Sequence, residues 1–291
     1  MLSEVRFNIK ITYFNKYLLK TFTQQKEETK LYKLIATDVD GTLLDNNSQV
    51  TELNRKALLE CRKRGIEVVL ATGKTMDSIL YLVKDLGLSL PQITLNGSIT
   101  ISPDLKIIRS SKIDPVYYYE IVREIKDNNY QPVVALENGK LFLEDYHPDL
   151  KHLDDIGEKF ESVSSIETDY YANNTVDIYI PIEESNPLDS KLRKKYSDKM
   201  QFIRSGRFFF DILNKDATKG SALLALIDSL GINEEEVVVL GDSPNDLSMF
   251  EIAGLKIAVK DSYPEILEKA DIITDESYNS GLGKAIYKYI L

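Results

Sequence analysis

The stretch LYKLIATDVDGT, residues 31–42, sets a short apolar run against a polar end that turns at Gly41. A run of this length, rich in Leu, Ile and Ala, reads as a buried strand, and Asp38-Val39-Asp40-Gly41-Thr42 reads as the loop leaving it. The same sentence is written three more times. IEVVLAT (66–72) runs into Gly73-Lys74, QITLN (92–96) into Gly97, and VVVL (237–240) into Gly241-Asp242-Ser243-Pro244-Asn245-Asp246. Helical patterns fall between them. One covers about 51–64, with Thr51 placed to cap it and Gly65 to end it; another runs from about 75 to 86 and stops at Gly87. Apolar runs buried on both faces and alternating with amphipathic helices predict an α/β fold with a parallel sheet.

The rhythm changes after Asn96. Residues 98–110 read as a hairpin around Pro103-Asp104. Residues 132–145 read as another, around Asn138-Gly139, the strongest short hairpin signal available. Helices fit 115–127 and about 188–197, an alternating strand fits 175–182, and residues 200–213 form a third hairpin about Gly206. Parallel alternation then resumes, with helices near 218–230 and 246–253 and strands at 237–240 and 255–259. The organisation implied is an α+β domain, residues 98–214, inserted into a core made of residues 31–97 and 215–291, with residues 1–30 as an N-terminal extension.

Composition removes several classes of function. The 291 residues are 43% hydrophobic, enough to bury a core without covalent staples. A single cysteine, Cys61, excludes an internal disulfide, and two histidines, His147 and His152, exclude a histidine-rich metal site. Both histidines read as ordinary surface or core residues, Cys61 as an inert core residue, and Tyr117-Tyr118-Tyr119 as helix packing. A net charge of −10 argues against nucleic-acid binding by bulk charge, and no apolar stretch reaches the roughly 20 residues of a membrane span. The extension carries six Lys/Arg against three Glu, has no secretory pattern, and is read as having no address. A cytoplasmic protein with no membrane partner is expected.

The carboxylates point to the chemistry. In open α/β sheets, ligands bind beyond the carboxyl ends of the strands. There Asp38, Asp40, Asp242 and Asp246 would crowd one rim. That many like charges repel, and a divalent cation relieves them; oxygen ligands suit Mg²⁺. Lys219, in Ala217-Thr218-Lys219-Gly220 before a helix, is a candidate second cation for a phosphate. A carboxylate nucleophile, a second carboxylate two residues on, Mg²⁺ and a lysine make a phosphoryl-transfer constellation.

Asp38-Val39-Asp40-Gly41-Thr42, Ala71-Thr72-Gly73, Lys219-Gly220 at a helix start, and Gly241-Asp242-Ser243-Pro244-Asn245-Asp246 resemble the four motifs of the haloacid dehalogenase superfamily. Their order and spacing are similar to its Cof-type sugar-phosphatase branch, and the resemblance covers about residues 31–291. It implies a doubly wound, Rossmann-like core with a large inserted cap. It implies a Mg²⁺-dependent phosphatase of small phosphorylated metabolites working through an aspartyl phosphate. In that scheme Asp38 is the nucleophile and Asp40 the general acid and base, with its main-chain carbonyl on the metal. Thr72 holds a phosphoryl oxygen, beside Gly73 and Asn96. Lys219 neutralises charge on the nucleophile and the phosphoryl group. Asp242 ligates Mg²⁺ with Asp246 close by, and Asn245 touches phosphate or Lys219. The family often has Arg where Lys74 stands, Asn-Ala where Asp261-Ser262 stand and Asp-Gly-Val where Ser280-Gly281-Leu282 stand, departures that fall at the rim and leave the core chemistry as the resemblance implies it. The rival readings are a phosphomutase of the same superfamily and a catalytically silent sensor of phosphate esters. The partner expected is a phosphorylated metabolite, bound by a monomer or homodimer.

Overall fold

The computed structural model describes residues 32–146, 148–151, 158–204 and 209–291. His147, His152, the N-terminal extension and the apex of the hairpin around Gly206 lie outside them.

The chain enters on β1 (Leu34–Thr37) and passes into α1 (Glu52–Lys63), which starts where the Thr51 hydroxyl accepts the Asn54 amide at 3.3 Å. The helix gives way at Gly65, whose φ of +81° no β-carbon could accept without strain. β2 (Glu67–Leu70) and α2 (Met76–Asp85) follow. Then β3 (Gln92–Thr94), β4 (Ile99–Ile101) and β5 (Ile107–Ser110) form a small meander. Next come α3 (Pro115–Asp127), β6 (Val133–Leu136), β7 (Leu141–Leu143), β8 (Phe160–Ser162) and α4 (Asp169–Asn174). After them run β9 (Thr175–Pro181), α5 (Pro187–Tyr196), β10 (Met200–Arg204) and β11 (Phe209–Asn214). The chain then returns through α6 (Lys219–Leu230), β12 (Val237–Gly241), α7 (Leu247–Phe250) and β13 (Leu255–Ala258). It closes on α8 (Pro264–Lys269), β14 (Ile272–Ile273) and α9 (Gly281–Tyr289).

The main sheet is parallel throughout, in the order β14-β13-β12-β1-β2. All four residues of the central β1 are fully buried. Ile35 packs on one face with Ala57, Leu58 and Cys61 of α1 and Ile286 of α9. Leu34 and Ala36 pack on the other with Leu223 and Ile227 of α6 and Phe250 of α7. Helices on both faces explain why the strands read as unbroken apolar runs. Cys61 is inert, its thiol pushed up to about 12 by burial.

The inserted body is built on a six-stranded sheet, β10-β11-β9-β6-β7-β8, antiparallel except where β7 meets β8. Strand alternation sorts its residues. Val134, Ile178, Ile180, Phe210 and Ile212 face a core shared with Tyr118 and Ile121 of α3 and Leu188 and Leu192 of α5. Val133, Ala135, Asp177, Tyr179 and Asp211 point the other way, over the carboxyl ends of the main sheet.

One element departs from the sequence reading. Residues 92–96 read as a third strand of the parallel sheet; the strand runs over Gln92–Thr94 and meets the run after β2 at the parallel Ala71–Ile93 bridge, with the Asn96 amide on the Thr72 carbonyl. On its other edge β3 pairs antiparallel with β4, and β4 with β5, so the hairpin at 98–110 belongs with β3 and this sheet spans the expected boundary at residue 97. The cause is an abrupt reversal. Leu95, Asn96 and Gly97 all take positive φ, and a β-carbon on Gly97 would collide with the carbonyl of Thr218.

Candidate active site

A cavity of about 380 Å³ lies between the loops that leave β1, β2 and β12 and the strand face of the inserted sheet. Asp38 directly follows β1, Thr72 and Gly73 follow β2, and Asp242 directly follows β12; all four line it.

Beneath the cavity floor sits Lys219, the first residue of α6 and fully buried. The helix start is secured by a reciprocal pair: the Thr218 hydroxyl accepts the Ser221 amide at 2.9 Å and the Ser221 hydroxyl accepts the Thr218 amide at 3.2 Å. This aims the ammonium between two carboxylates, with Nζ 2.6 Å from Asp38 Oδ1 and 2.7 Å from Asp246 Oδ1. Burial alone would lower the Lys219 ammonium; Asp246 and Asp38 more than offset it and hold the group charged. Asp246 Oδ2 accepts the amides of Asp242 and Ser243 at 3.0 and 3.1 Å, so both oxygens of Asp246 are engaged in holding lysine and loop in place. The Thr42 hydroxyl donates to Asp242 Oδ1 at 2.7 Å. Gly41 lies so close to Asp242 that a β-carbon there would sit 2.6 Å from Oδ2.

Asp38, Asp242 and Asp246 each present a carboxylate oxygen within 4.8 Å of the others. Three carboxylates against one ammonium leave an excess of negative charge. Burial raises Asp38 well above the usual carboxylate range, and burial with the Asp246 charge raises Asp242 to about 7. The donor set is all oxygen and electrostatically short of a cation, which suits a hard divalent ion such as Mg²⁺. Asp40 adds no carboxylate to this group; its expected place there rests on the main-chain carbonyl. Its side chain, 53% exposed at the cavity edge, pairs with Lys74 Nζ at 3.3 Å.

The remaining predicted residues gather beside the loop that leaves β2. The Thr72 hydroxyl accepts the Lys74 amide at 3.1 Å, and the Asn96 amide donates to the Thr72 carbonyl at 3.0 Å. Asn245 Nδ2 donates to Asn96 Oδ1 at 3.0 Å, leaving Asn96 Nδ2 buried without a partner beside Gly73. An orphaned donor at this depth suits an acceptor oxygen arriving from outside. Tyr117, Tyr118 and Tyr119 take no part. The Tyr118 hydroxyl donates to the Ile166 carbonyl at 2.8 Å within the inserted body. Asp261 and Ser262 serve local structure: Asp261 accepts the Ser277 amide and hydroxyl, and the Ser262 hydroxyl donates to the Val259 carbonyl.

Three features were not anticipated from the sequence. Thr42 stands inside the first motif, and its tie to Asp242 is the signal that was there to read. Glu158, from the inserted body, accepts the Thr75 amide, the Thr75 hydroxyl and the Ser78 hydroxyl at 2.9, 2.6 and 2.9 Å. Asp177 and Asp211 are buried on the cavity face of the inserted sheet. No local pattern marks the last two sites, because both arise from contacts between distant segments.

The family model described as haloacid dehalogenase-like hydrolase matches residues 35–286. The Bacillus subtilis phosphatase YwpJ is 28% identical over 268 residues, covering 83% of this chain and 94% of its own. The B. subtilis 5-amino-6-(5-phospho-D-ribitylamino)uracil phosphatase YcsE is 27% identical over 267 residues, covering 92% of this chain and 99% of its own. A crystal structure from Thermotoga maritima superposes with a TM-score of 0.78 at 27% identity, covering 89% of this chain and 97% of the other. Among the described residues no helix is long and apolar enough to cross a membrane.

Proposed function

We propose, for a chain that belongs to the haloacid dehalogenase-like hydrolases, that it hydrolyses small phosphate monoesters through a phosphoryl group carried on Asp38. One observation carries the reading: Lys219 is buried, charged, and clasped between Asp38 and Asp246 directly under a cavity. Phosphatase relatives along nearly the whole chain support it, one of them named for a phosphorylated ribityl compound.

The chain's own groups divide the work. An Asp38 oxygen forms a new bond to phosphorus while the bond to the leaving oxygen breaks, and the Asp40 carboxylic acid gives its proton to that oxygen. Lys219 keeps Asp38 oriented and balances its charge. The Thr72 hydroxyl and Asn96 Nδ2 meet the phosphoryl oxygens. Asp40, now a carboxylate, takes a proton from the water whose oxygen attacks phosphorus, and the bond to Asp38 breaks to release inorganic phosphate. A divalent cation held by Asp38, Asp242 and the Asp40 carbonyl, with Asp246 behind them, would supply the positive charge that brings a phosphate dianion to a carboxylate-rich floor.

The test is release of nitrophenolate and inorganic phosphate from p-nitrophenyl phosphate. Steady turnover with Mg²⁺, lost on chelation and restored by adding Mg²⁺, is the expected result. Full activity in excess chelator, or none under any condition, would refute the proposal.

A further inference from the structure

Among the described residues, two buried side-chain atoms at the cavity have no hydrogen-bond partner: Asn96 Nδ2, set behind Gly73 on the phosphoryl side, and Asp177 Oδ1, on the wall formed by the inserted sheet. Asp177 stands on β9 and is 3% exposed. Its cross-strand neighbours are Ala135 on β6 and Leu213 on β11, neither of which offers a side-chain donor. Its strand neighbours Val176 and Ile178 point to the opposite face, so alternation aims the carboxylate at the cavity, as it does Tyr179 two residues on. Asp211 lies diagonally across on β11, on the same face. Burial first, then the Asp211 charge, push the Asp177 carboxyl well above the usual range.

The other cavity acids differ. Asp38 is held by Lys219, Asp40 by Lys74, and Glu158 is saturated by Thr75 and Ser78. A buried acceptor left unsatisfied in the free protein is costly, and it persists where a ligand completes it. The wall around it is apolar, formed by Val133, Ala135 and Leu141 with the Tyr179 ring.

Resting on the phosphatase reading, we infer that Asp177 selects the leaving group: the substrates are monophosphate esters whose alcohol carries a hydroxyl or ammonium donor at the end remote from phosphorus, and esters with a second anion there are rejected. A hydroxyl and an ammonium share the chemistry Oδ1 lacks, a hydrogen to accept. A carboxylate or second phosphate brings no hydrogen to Oδ1 and would be stripped of water against an apolar wall.

Three six-carbon phosphates separate the cases: glucosamine 6-phosphate carries the ammonium, glucose 6-phosphate the hydroxyl, and 6-phosphogluconate the carboxylate. They are compared with the full chain and Mg²⁺, as substrates and as competitors of p-nitrophenyl phosphate. Expected is a kcat/KM or competitive affinity for the first two that exceeds the third by about 10²-fold. Preference for the ammonium or for the hydroxyl form identifies which donor is used, and either supports the inference. In Asp177→Asn the gap to 6-phosphogluconate should narrow about tenfold or more. Wild-type selectivity alone decides the matter should that variant fail to fold. Equal use of all three, failure of all three to react or compete, or undiminished selectivity in Asp177→Asn overturns the inference while nitrophenyl phosphate turnover leaves the phosphatase reading standing. Absence of nitrophenyl phosphate turnover sinks both.

Discussion

Lys219 occupies the first turn of α6, where the positive end of the helix dipole disfavours a cation. It is stable there because two carboxylates from loops 181 and 27 residues away close on it. The roles of Asp38 and Asp40 can be separated in the same way, by what each side chain touches. Asp38→Asn removes the nucleophile, and activity should fall by at least about 10³-fold, roughly 4 kcal/mol on the barrier. Asp40→Asn keeps the nucleophile and the main-chain carbonyl but removes the proton carrier, a loss of about 10²–10⁴-fold. With a nitrophenolate leaving group the first step needs little protonation, so the Asp40 variant should give a burst near one equivalent and then stall. Intact-mass measurement after acid quench should find a phosphoryl adduct on Asp40→Asn and none on Asp38→Asn; an adduct on the latter would relocate the nucleophile. Asp38, Lys219, Asp242 and Asp246 were legible because each lies in a short motif at a strand end or helix start. Asp177 was not, since its meaning depends on its neighbours being Ala135 and Leu213, which only the pairing of β6, β9 and β11 decides.

At the level of elements, the contact between Glu158 and the start of α2 ties the inserted body to the loop that carries Thr72 and Gly73. A carboxylate there accepts an otherwise orphaned amide and complements the dipole of a ten-residue helix. Glu158→Gln retains one acceptor and loses the charge, at a cost of about 1 kcal/mol. The melting temperature should drop by about 2–4 °C, and KM for p-nitrophenyl phosphate should rise about 3–10-fold as the body over the cavity is held less firmly. An unchanged KM in calorimetrically weakened protein would show that the tie serves stability alone. The long apolar strands and capped helices were readable, since period and caps agree. β14, with two residues, and β8, with three, are too short to carry a period, and β3 stops at Thr94, short of residue 96, because three successive positive φ angles redirect the chain.

For the molecule as a whole, the crowded carboxylates link stability to pH and to metal. Asp38 and Asp242 are raised in the folded state, so each favours folding while protonated and loses that contribution as pH climbs through its folded value. For Asp242 the window runs from the ordinary 3.8 to about 7. In chelator, the melting temperature should therefore fall between pH 5.5 and pH 8 once the rest of the chain is matched with an Asp242→Asn control. Mg²⁺ binds the ionised forms, so its stabilising shift should grow over the same range, with affinity gaining about tenfold per pH unit for each proton displaced. A Mg²⁺ shift that shrinks as pH rises would contradict this assignment.

The place of β1 in the main sheet has a consequence for synthesis. Leu34 pairs with Val237 on one side and with Glu67 on the other. A ribosome that has delivered β1 and β2 must add roughly 170 more residues before β12 arrives, about 10–35 s at 5–20 residues per second. Throughout that interval the innermost strand of the finished protein has an open edge and uncovered apolar faces, while the hairpins of the inserted body can pair as they emerge. The segment that interrupts the core is thus completed before its host, and the nascent chain is most in need of a chaperone during the stretch that encodes its guest.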